Sequence, residues 1–134
     1  MEHWKRWVCL GKHDPRRYKG SVEVVAATAE GADSVYYRGV DIRDLETRAA
    51  ADGVEVPSGK PATLYKVYAA ERAVGASEGE ESRWVRVEDT NGDFHGHPIS
   101  QRRYEEYMRR RQKLVDAPAT GDPRKAPKGG DDAE

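Results

Sequence analysis

The segment formed by residues 83–114 constrains the fold more than any other part of the chain. Apolar and charged residues alternate over residues 83–88, which is typical of a strand with one buried face. Asn91-Gly92 follows, and this pair adopts the positive φ angles of a tight turn at little cost. We therefore predict a hairpin whose return strand covers residues 94–97.

A helix should follow this hairpin. Pro98 lacks a backbone donor and disfavours a helical conformation for the residue before it. Ser100 then suits the N-cap of a helix that begins near Gln101. Apolar residues recur at helical spacing and should form one stripe that packs on the sheet, namely Tyr104, Tyr107, Met108, Leu114 and Val115. The other faces carry the basic residues Arg102, Arg103, Arg109, Arg110, Arg111 and Lys113.

The remaining patterns predict an α+β protein. Strands are expected at residues 4–10, 21–28, 34–40 and 63–70, with 21–28 and 34–40 paired as a hairpin, a helix at 41–53, and a mobile acidic hairpin loop at 71–82. This order favours a small antiparallel sheet of about five strands, packed by one connecting helix and one C-terminal helix. A curved barrel of the OB type is the alternative.

The chain has 134 residues, enough for one domain with one core. We assign that domain to residues 1–116. Residues 117–134 are rich in Pro, Gly and charges and are expected to be a disordered tail. The single cysteine, Cys9, excludes an internal disulfide and lies in an apolar run, so we expect a buried thiol. Nothing resembles a membrane span or a leader, so a cytoplasmic location is expected.

The net charge of −1 conceals an uneven distribution. Residues 1–19 contain six Lys and Arg against two acidic residues, and residues 101–113 contain the same numbers, so each segment carries +4. Basic side chains interleaved with aromatic ones suit contact with phosphates and bases. The candidate contact residues for nucleic acid or another partner are Arg16, Arg17, Lys19, Arg102, Arg103, Arg109, Arg110, Arg111 and Lys113. Two solvated faces with aromatic residues in the core are the alternative interpretation.

One group of residues has the types that bind metals. Asp93, His95 and His97 point the same way if they lie on a strand, and nitrogen with oxygen ligands suits transition metals. No further strong ligand stands out, because His3 and His13 are distant in sequence. Two polar histidines in a hairpin are the structural alternative.

No sequence motif defines a reaction. Gly59-Lys60 fails the phosphate-loop pattern because Pro61 follows the lysine, and no convincing nucleophile or buried carboxylate is apparent. We therefore expect a non-catalytic interaction module without a cofactor. It would contact nucleic acid, or a protein bound to nucleic acid, through its basic C-terminal helix. A protein–protein adaptor without nucleic-acid contact and a metal-binding protein are the alternatives.

Overall fold

The computed structural model describes residues 2–9 and 11–116, with side chains as far as Leu114. The predicted tail, residues 117–134, lies outside the described residues. In chain order the elements are β1 (Arg6–Trp7), two 3₁₀ turns (Gly11–His13 and Pro15–Arg17), α1 (Ser21–Ala29), β2 (Val35–Tyr36), α2 (Ile42–Asp52), β3 (Val54–Val56), β4 (Thr63–Ala69), β5 (Gly75–Ser77), β6 (Glu80–Ser82), β7 (Trp84–Thr90), β8 (Asp93–Ile99) and α3 (Gln101–Asp116). The α+β class is confirmed.

The strands form two open sheets. The larger sheet has the order β1-β8-β7-β4-β3, and the smaller one has the order β2-β5-β6. All pairs are antiparallel except β1 with β8, which run parallel. Because β1 and β3 are the two edges of the larger sheet, it is not closed, and the alternative of an OB-type barrel is wrong.

The hairpin β7–β8 is the centre of the larger sheet. Asn91 and Gly92 have φ angles of 58° and 94°, the conformation predicted for the two-residue turn. This turn fixes the register, which pairs Thr90 with Asp93 and Arg86 with His97. Side chains on each strand therefore alternate between the two faces of the sheet.

The two longer helices cover opposite faces of this sheet. α2 packs against a core that includes Tyr36, Ala49, Val85 and Val87. α3 packs against the other face, where Tyr107 meets Tyr65, Val67 and Ile99. Asp41 caps α2 and Ser100 caps α3, each through its side-chain oxygen and a backbone amide, as predicted.

The strand predicted at residues 21–28 is the helix α1 in the structure. This prediction is wrong because the run Ser-Val-Glu-Val-Val-Ala-Ala-Thr suits both periods, and the helical one buries Val24 and Thr28, four residues apart. The Glu23 carboxylate accepts a hydrogen bond from the Lys19 amide and so supports the start of the helix. The hairpin with residues 34–40 does not form, and α1 instead packs on β5 and β6.

Four other expectations need correction. The segment 71–82 forms the paired strands β5 and β6, whose residues 75–77 are buried. Cys9 is exposed instead of buried. Leu114 is 64% exposed and does not join the apolar stripe of α3. The strands predicted at 4–10 and 34–40 are only two residues long.

Candidate ligand-binding cleft and basic helix face

Polar side chains from the β7–β8 hairpin line a cleft beside the small sheet. Arg86 and Glu88 lie on β7, opposite His97 and His95 on β8, and all four lie on one face of the sheet. The cleft has a volume of about 370 Å³. We call it the histidine cleft, and its lining also includes Lys12, His13, Asp33, Ser34, Ser77 and Glu78.

The fold brings His13 into this cleft although 84 positions separate it from His97. The two rings stack with centroids 5.0 Å apart and an angle of 24° between their planes. Nδ1 of His13 lies 2.6 Å from the Ser34 carbonyl oxygen, and Nδ1 of His97 lies 2.9 Å from the Pro98 carbonyl oxygen. Because a carbonyl only accepts, each Nδ1 carries the proton and donates it.

Arg86 is held from several sides. Its carbon Cζ lies 4.1 Å from the centre of the Tyr65 ring, NH1 donates to the Tyr107 hydroxyl at 3.0 Å, and NH2 donates to Glu88 at 3.1 Å. The remaining nitrogen, Nε, is buried and has no hydrogen-bond partner among the described residues, and the same holds for Nδ1 of His95. Buried polar atoms are nearly always paired, so these two nitrogens are exceptions among the described residues.

Burial also shifts the pKa values of the stacked histidines. Desolvation lowers the pKa of His13, and it lowers the pKa of His97 to about 3, with the nearby Arg86 charge adding to the effect. Both rings are therefore neutral at neutral pH.

The stacked histidines should make the protein less stable in acid. An unfolded histidine has a pKa of about 6.5, so below that pH the unfolded chain binds protons that the folded chain does not. The free energy of unfolding then falls as the pH drops from the unfolded value toward the lowered folded values, by up to about 1.4 kcal/mol per pH unit for each histidine. Glu46 has the opposite effect on stability. Because burial raises its pKa, the folded chain binds this proton before the unfolded chain does as the pH falls, and the free energy of unfolding rises.

Urea denaturation between about pH 7 and about pH 4 measures this effect. The slope of the free energy of unfolding with pH gives the number of protons that the chain takes up on unfolding. We expect His97→Gln to lower this number by about one, whatever it does to stability at neutral pH. Titrating groups that do not contact His97 are unchanged, so they cancel in the comparison. An unchanged pH dependence in the variant would show that His97 is not held neutral by the fold.

The predicted metal ligands are not arranged as a metal site. Asp93 accepts two hydrogen bonds from Arg6, at 3.0 and 2.8 Å, and Arg6 thereby lowers the pKa of this carboxyl group. His95 and His97 face the histidine cleft instead. Within the described ranges, no group of three or more His, Cys, Asp or Glu side chains could hold a metal ion.

The predicted basic residues of α3 divide into two sets. Tyr104, Tyr107 and Met108 face the sheet, so residues on the opposite side of the helix face solvent. Arg102, Arg109, Arg110 and Lys113 are exposed, and we call them the basic face of α3. Arg103 and Arg111 are half-buried, and Arg103 donates a hydrogen bond to the Tyr107 hydroxyl at 3.4 Å.

Two of the basic residues near the N-terminus make local contacts. Arg16 pairs with Asp14 at 3.0 Å, and the guanidinium carbon of Arg17 lies 5.3 Å from the centre of the Tyr18 ring. Lys19 is exposed at the start of α1.

A second pocket, of about 300 Å³, lies on the α2 side of the sheet and has His13 and Cys9 in its wall. Glu46 also lines this pocket. It is 2% exposed, and its carboxylate accepts hydrogen bonds from Trp7 and Tyr36. Burial raises the pKa of Glu46 despite these bonds. No sequence pattern singles out this buried carboxylate, because the sequence of α2 is mostly polar.

The sequence predicts the position of some residues of the histidine cleft but not of others. The two-residue turn fixes the hairpin register, so Arg86 and Glu88 could have been placed opposite His97 and His95. No local pattern brings His13 to the same place.

Comparisons with models of protein families, with curated proteins and with solved structures found no match for this chain. Of the helices that the structure describes, none is long and apolar enough to cross a membrane. The function therefore has to be argued from the surfaces and the cleft described above.

Proposed function

We propose that this protein is a non-catalytic interaction module that contacts nucleic acid, or a protein bound to nucleic acid, through the basic face of α3. The observation that carries this proposal is the separation of side chains on that helix. The aromatic residues face the sheet, while Arg102, Arg109, Arg110 and Lys113 face solvent. Four cations on one exposed helix face suit a row of phosphates. The single cysteine fits action in the cytoplasm.

The core holds this face in place. Tyr107 is 3% exposed, and its ring lies 5.9 Å from that of Tyr65, nearly perpendicular to it. The Ser100 hydroxyl accepts a hydrogen bond from the Arg103 amide and fixes the start of the helix. A helix anchored in this way presents its cations without ordering a loop first, which favours binding.

The ion pairs on this helix leave its charges available. Arg110 pairs with Glu106 and Arg102 pairs with Glu78, each at 3.4 Å and with both side chains substantially exposed. Exposed pairs of this kind contribute little free energy, so a phosphate can compete with the carboxylate for the guanidinium group.

The double variant Arg109→Gln/Arg110→Gln tests this proposal. We expect its affinity for a labelled oligonucleotide, measured by fluorescence anisotropy at low salt, to fall about tenfold or more, because each substitution removes a charge-assisted hydrogen bond to a phosphate. The matched control is Arg48→Gln/Arg72→Gln, which removes two exposed cations from another part of the surface. Arg48 pairs with Asp44, as Arg110 pairs with Glu106. An equal fall in affinity for both variants would contradict a specific role for α3.

A protein–protein adaptor is the second candidate. Leu114, next to Lys113 in the last part of α3, is 64% exposed. Arginine is enriched at protein interfaces, so the arginines of α3 together with this apolar side chain suit a protein partner. Absence of binding to single- and double-stranded oligonucleotides at low salt would favour this candidate over the first.

A further inference from the structure

We propose that the histidine cleft binds one uncharged nucleobase of an unpaired nucleotide. This inference rests on the proposed contact of α3 with nucleic acid and adds the part of the ligand that enters the protein. Its basis is the chemistry of the cleft lining and the position of the cleft beside α3.

The unpartnered nitrogens of the cleft determine which acceptor groups a ligand should carry. Nε of Arg86 is a donor, and Nδ1 of His95 donates in one of its tautomers. A carbonyl oxygen is the kind of acceptor that each of these donors requires. Carbonyl oxygens are present on the hydrogen-bonding edges of uracil, cytosine and guanine.

The carboxylates of the cleft determine which donor groups the ligand should carry. Asp33, Glu78 and Glu88 accept hydrogen bonds, as the ring and amino N–H groups of a base require. The cations Lys12 and Arg86 do not outnumber these three carboxylates, and the stacked histidines are neutral. The lining therefore offers no excess positive charge for a phosphate group, and it suits a neutral ligand that both donates and accepts.

The planar groups in the wall suit a planar ligand. The lining contains the Arg86 guanidinium, which lies against Tyr65, and the stacked rings of His13 and His97. Guanidinium planes and histidine rings are surfaces on which unstacked bases lie in complexes with single strands. The volume of about 370 Å³ is near the lower limit of ligand pockets, about 300 Å³, so a single base suits it better than a larger ligand.

The cleft is continuous with the start of α3. Glu78 lines the cleft and pairs with Arg102 in the first turn of that helix. A neighbouring groove shares Thr28, Gly31 and Glu78 with the cleft and extends to Ser100 and Arg102. A nucleotide can therefore place its base in the cleft while the strand continues toward the basic face of α3.

Nucleosides test the cleft without any phosphate. The experiment adds uridine, cytidine, guanosine and adenosine separately to the full-length protein and records NMR spectra of the histidine side chains. We expect shifts at His13, His95 and His97 that saturate with at least one nucleoside, while His3, outside the cleft, stays unchanged. Absence of saturable shifts at the three cleft histidines with all four nucleosides would overturn the inference.

Oligonucleotides separate this inference from the proposed function. A single-stranded oligonucleotide is compared with an abasic strand of equal length, which keeps every phosphate. Stacking of one base should make the base-bearing strand bind at least about fivefold more tightly. Equal binding of the two strands would overturn the base site and leave the contact of α3 in place. If neither strand binds, the contact of α3 fails, and the nucleoside experiment alone decides about the cleft.

A variant locates the site. We expect His95→Ala to remove most of the preference for the base-bearing strand and to leave binding of the abasic strand unchanged. The control is Asp93→Asn, two residues away on the same face of β8 but outside the cleft. If the two variants keep the same preference, the base does not bind next to His95.

Discussion

Replacing Glu46 with alanine should lower the free energy of unfolding by about 3–5 kcal/mol, because two buried donors each lose their acceptor at a cost of about 1–3 kcal/mol. The carboxylate accepts from Trp7 Nε1 at 2.7 Å and from the Tyr36 hydroxyl at 2.6 Å. The Gly96 amide is also a hydrogen-bonding neighbour. One side chain of α2 therefore joins β1, β2 and β8, and its removal leaves the fully buried Tyr36 without this partner.

Urea denaturation of three variants distinguishes the causes of this destabilisation. Glu46→Gln keeps the volume, but its amide group cannot accept on both sides, so we expect a smaller decrease of about 1–3 kcal/mol. Thr47→Ala, at the next and exposed position of α2, should change stability by less than about 0.5 kcal/mol. If Glu46→Ala is no more destabilising than Thr47→Ala, Glu46 does not hold the three strands together.

Gly75→Ala should have the next largest effect, a decrease in stability of about 3 kcal/mol, the upper part of the usual range for overpacking. A Cβ atom at this position would collide with the Val35 carbonyl oxygen. It would also lie 2.8 Å from Pro98 Cγ and 2.9 Å from Tyr36 Cα. Backbone atoms cannot rotate away, so β5 would have to move away from its neighbour β2 within the small sheet, and also from Pro98 on β8.

Thermal unfolding followed by circular dichroism checks this prediction. The control is Gly11→Ala, because a Cβ at Gly11 meets no atom within 4 Å and this glycine does not have a positive φ angle. We expect a clear drop in Tm for Gly75→Ala and little change for Gly11→Ala. Equal Tm values for the two variants would contradict the close approach of Gly75 to β2 and to Pro98.

The parts of the fold that local chemistry determines could be predicted from the sequence. Asn91-Gly92 requires only its own two φ angles, and Ser100 requires only the amide three residues later. The apolar stripe of α3 is predictable for the same reason, because its tyrosines recur at helical spacing. These signals indicate the central hairpin, the last helix and the α+β class.

The error at α1 has a different physical origin. Valine favours strands, but the residues of this run also recur at helical spacing, and packing of α1 on β5 and β6 decides the outcome. Packing of this kind depends on residues about 50 positions further along the chain. The local sequence does not contain that information.

The candidate sites also differ in how far local sequence predicts them. The basic residues of α3 could be found because charge and helical spacing are both local. The histidine cleft could not be found in full, because His13 reaches His97 through a loop and two 3₁₀ turns that have no periodic pattern. The Asp93 group has the residue types of a metal site, yet Arg6 occupies that carboxylate.

The salt dependence of binding to a single-stranded oligonucleotide tests the central claim most directly. The logarithm of the affinity should fall linearly with the logarithm of the salt concentration. The Arg109→Gln/Arg110→Gln variant should lower that slope by about one for each phosphate that it no longer binds. The same slope for this variant and the unaltered protein, or affinity that does not depend on salt, would contradict the claim that the basic face of α3 binds phosphates.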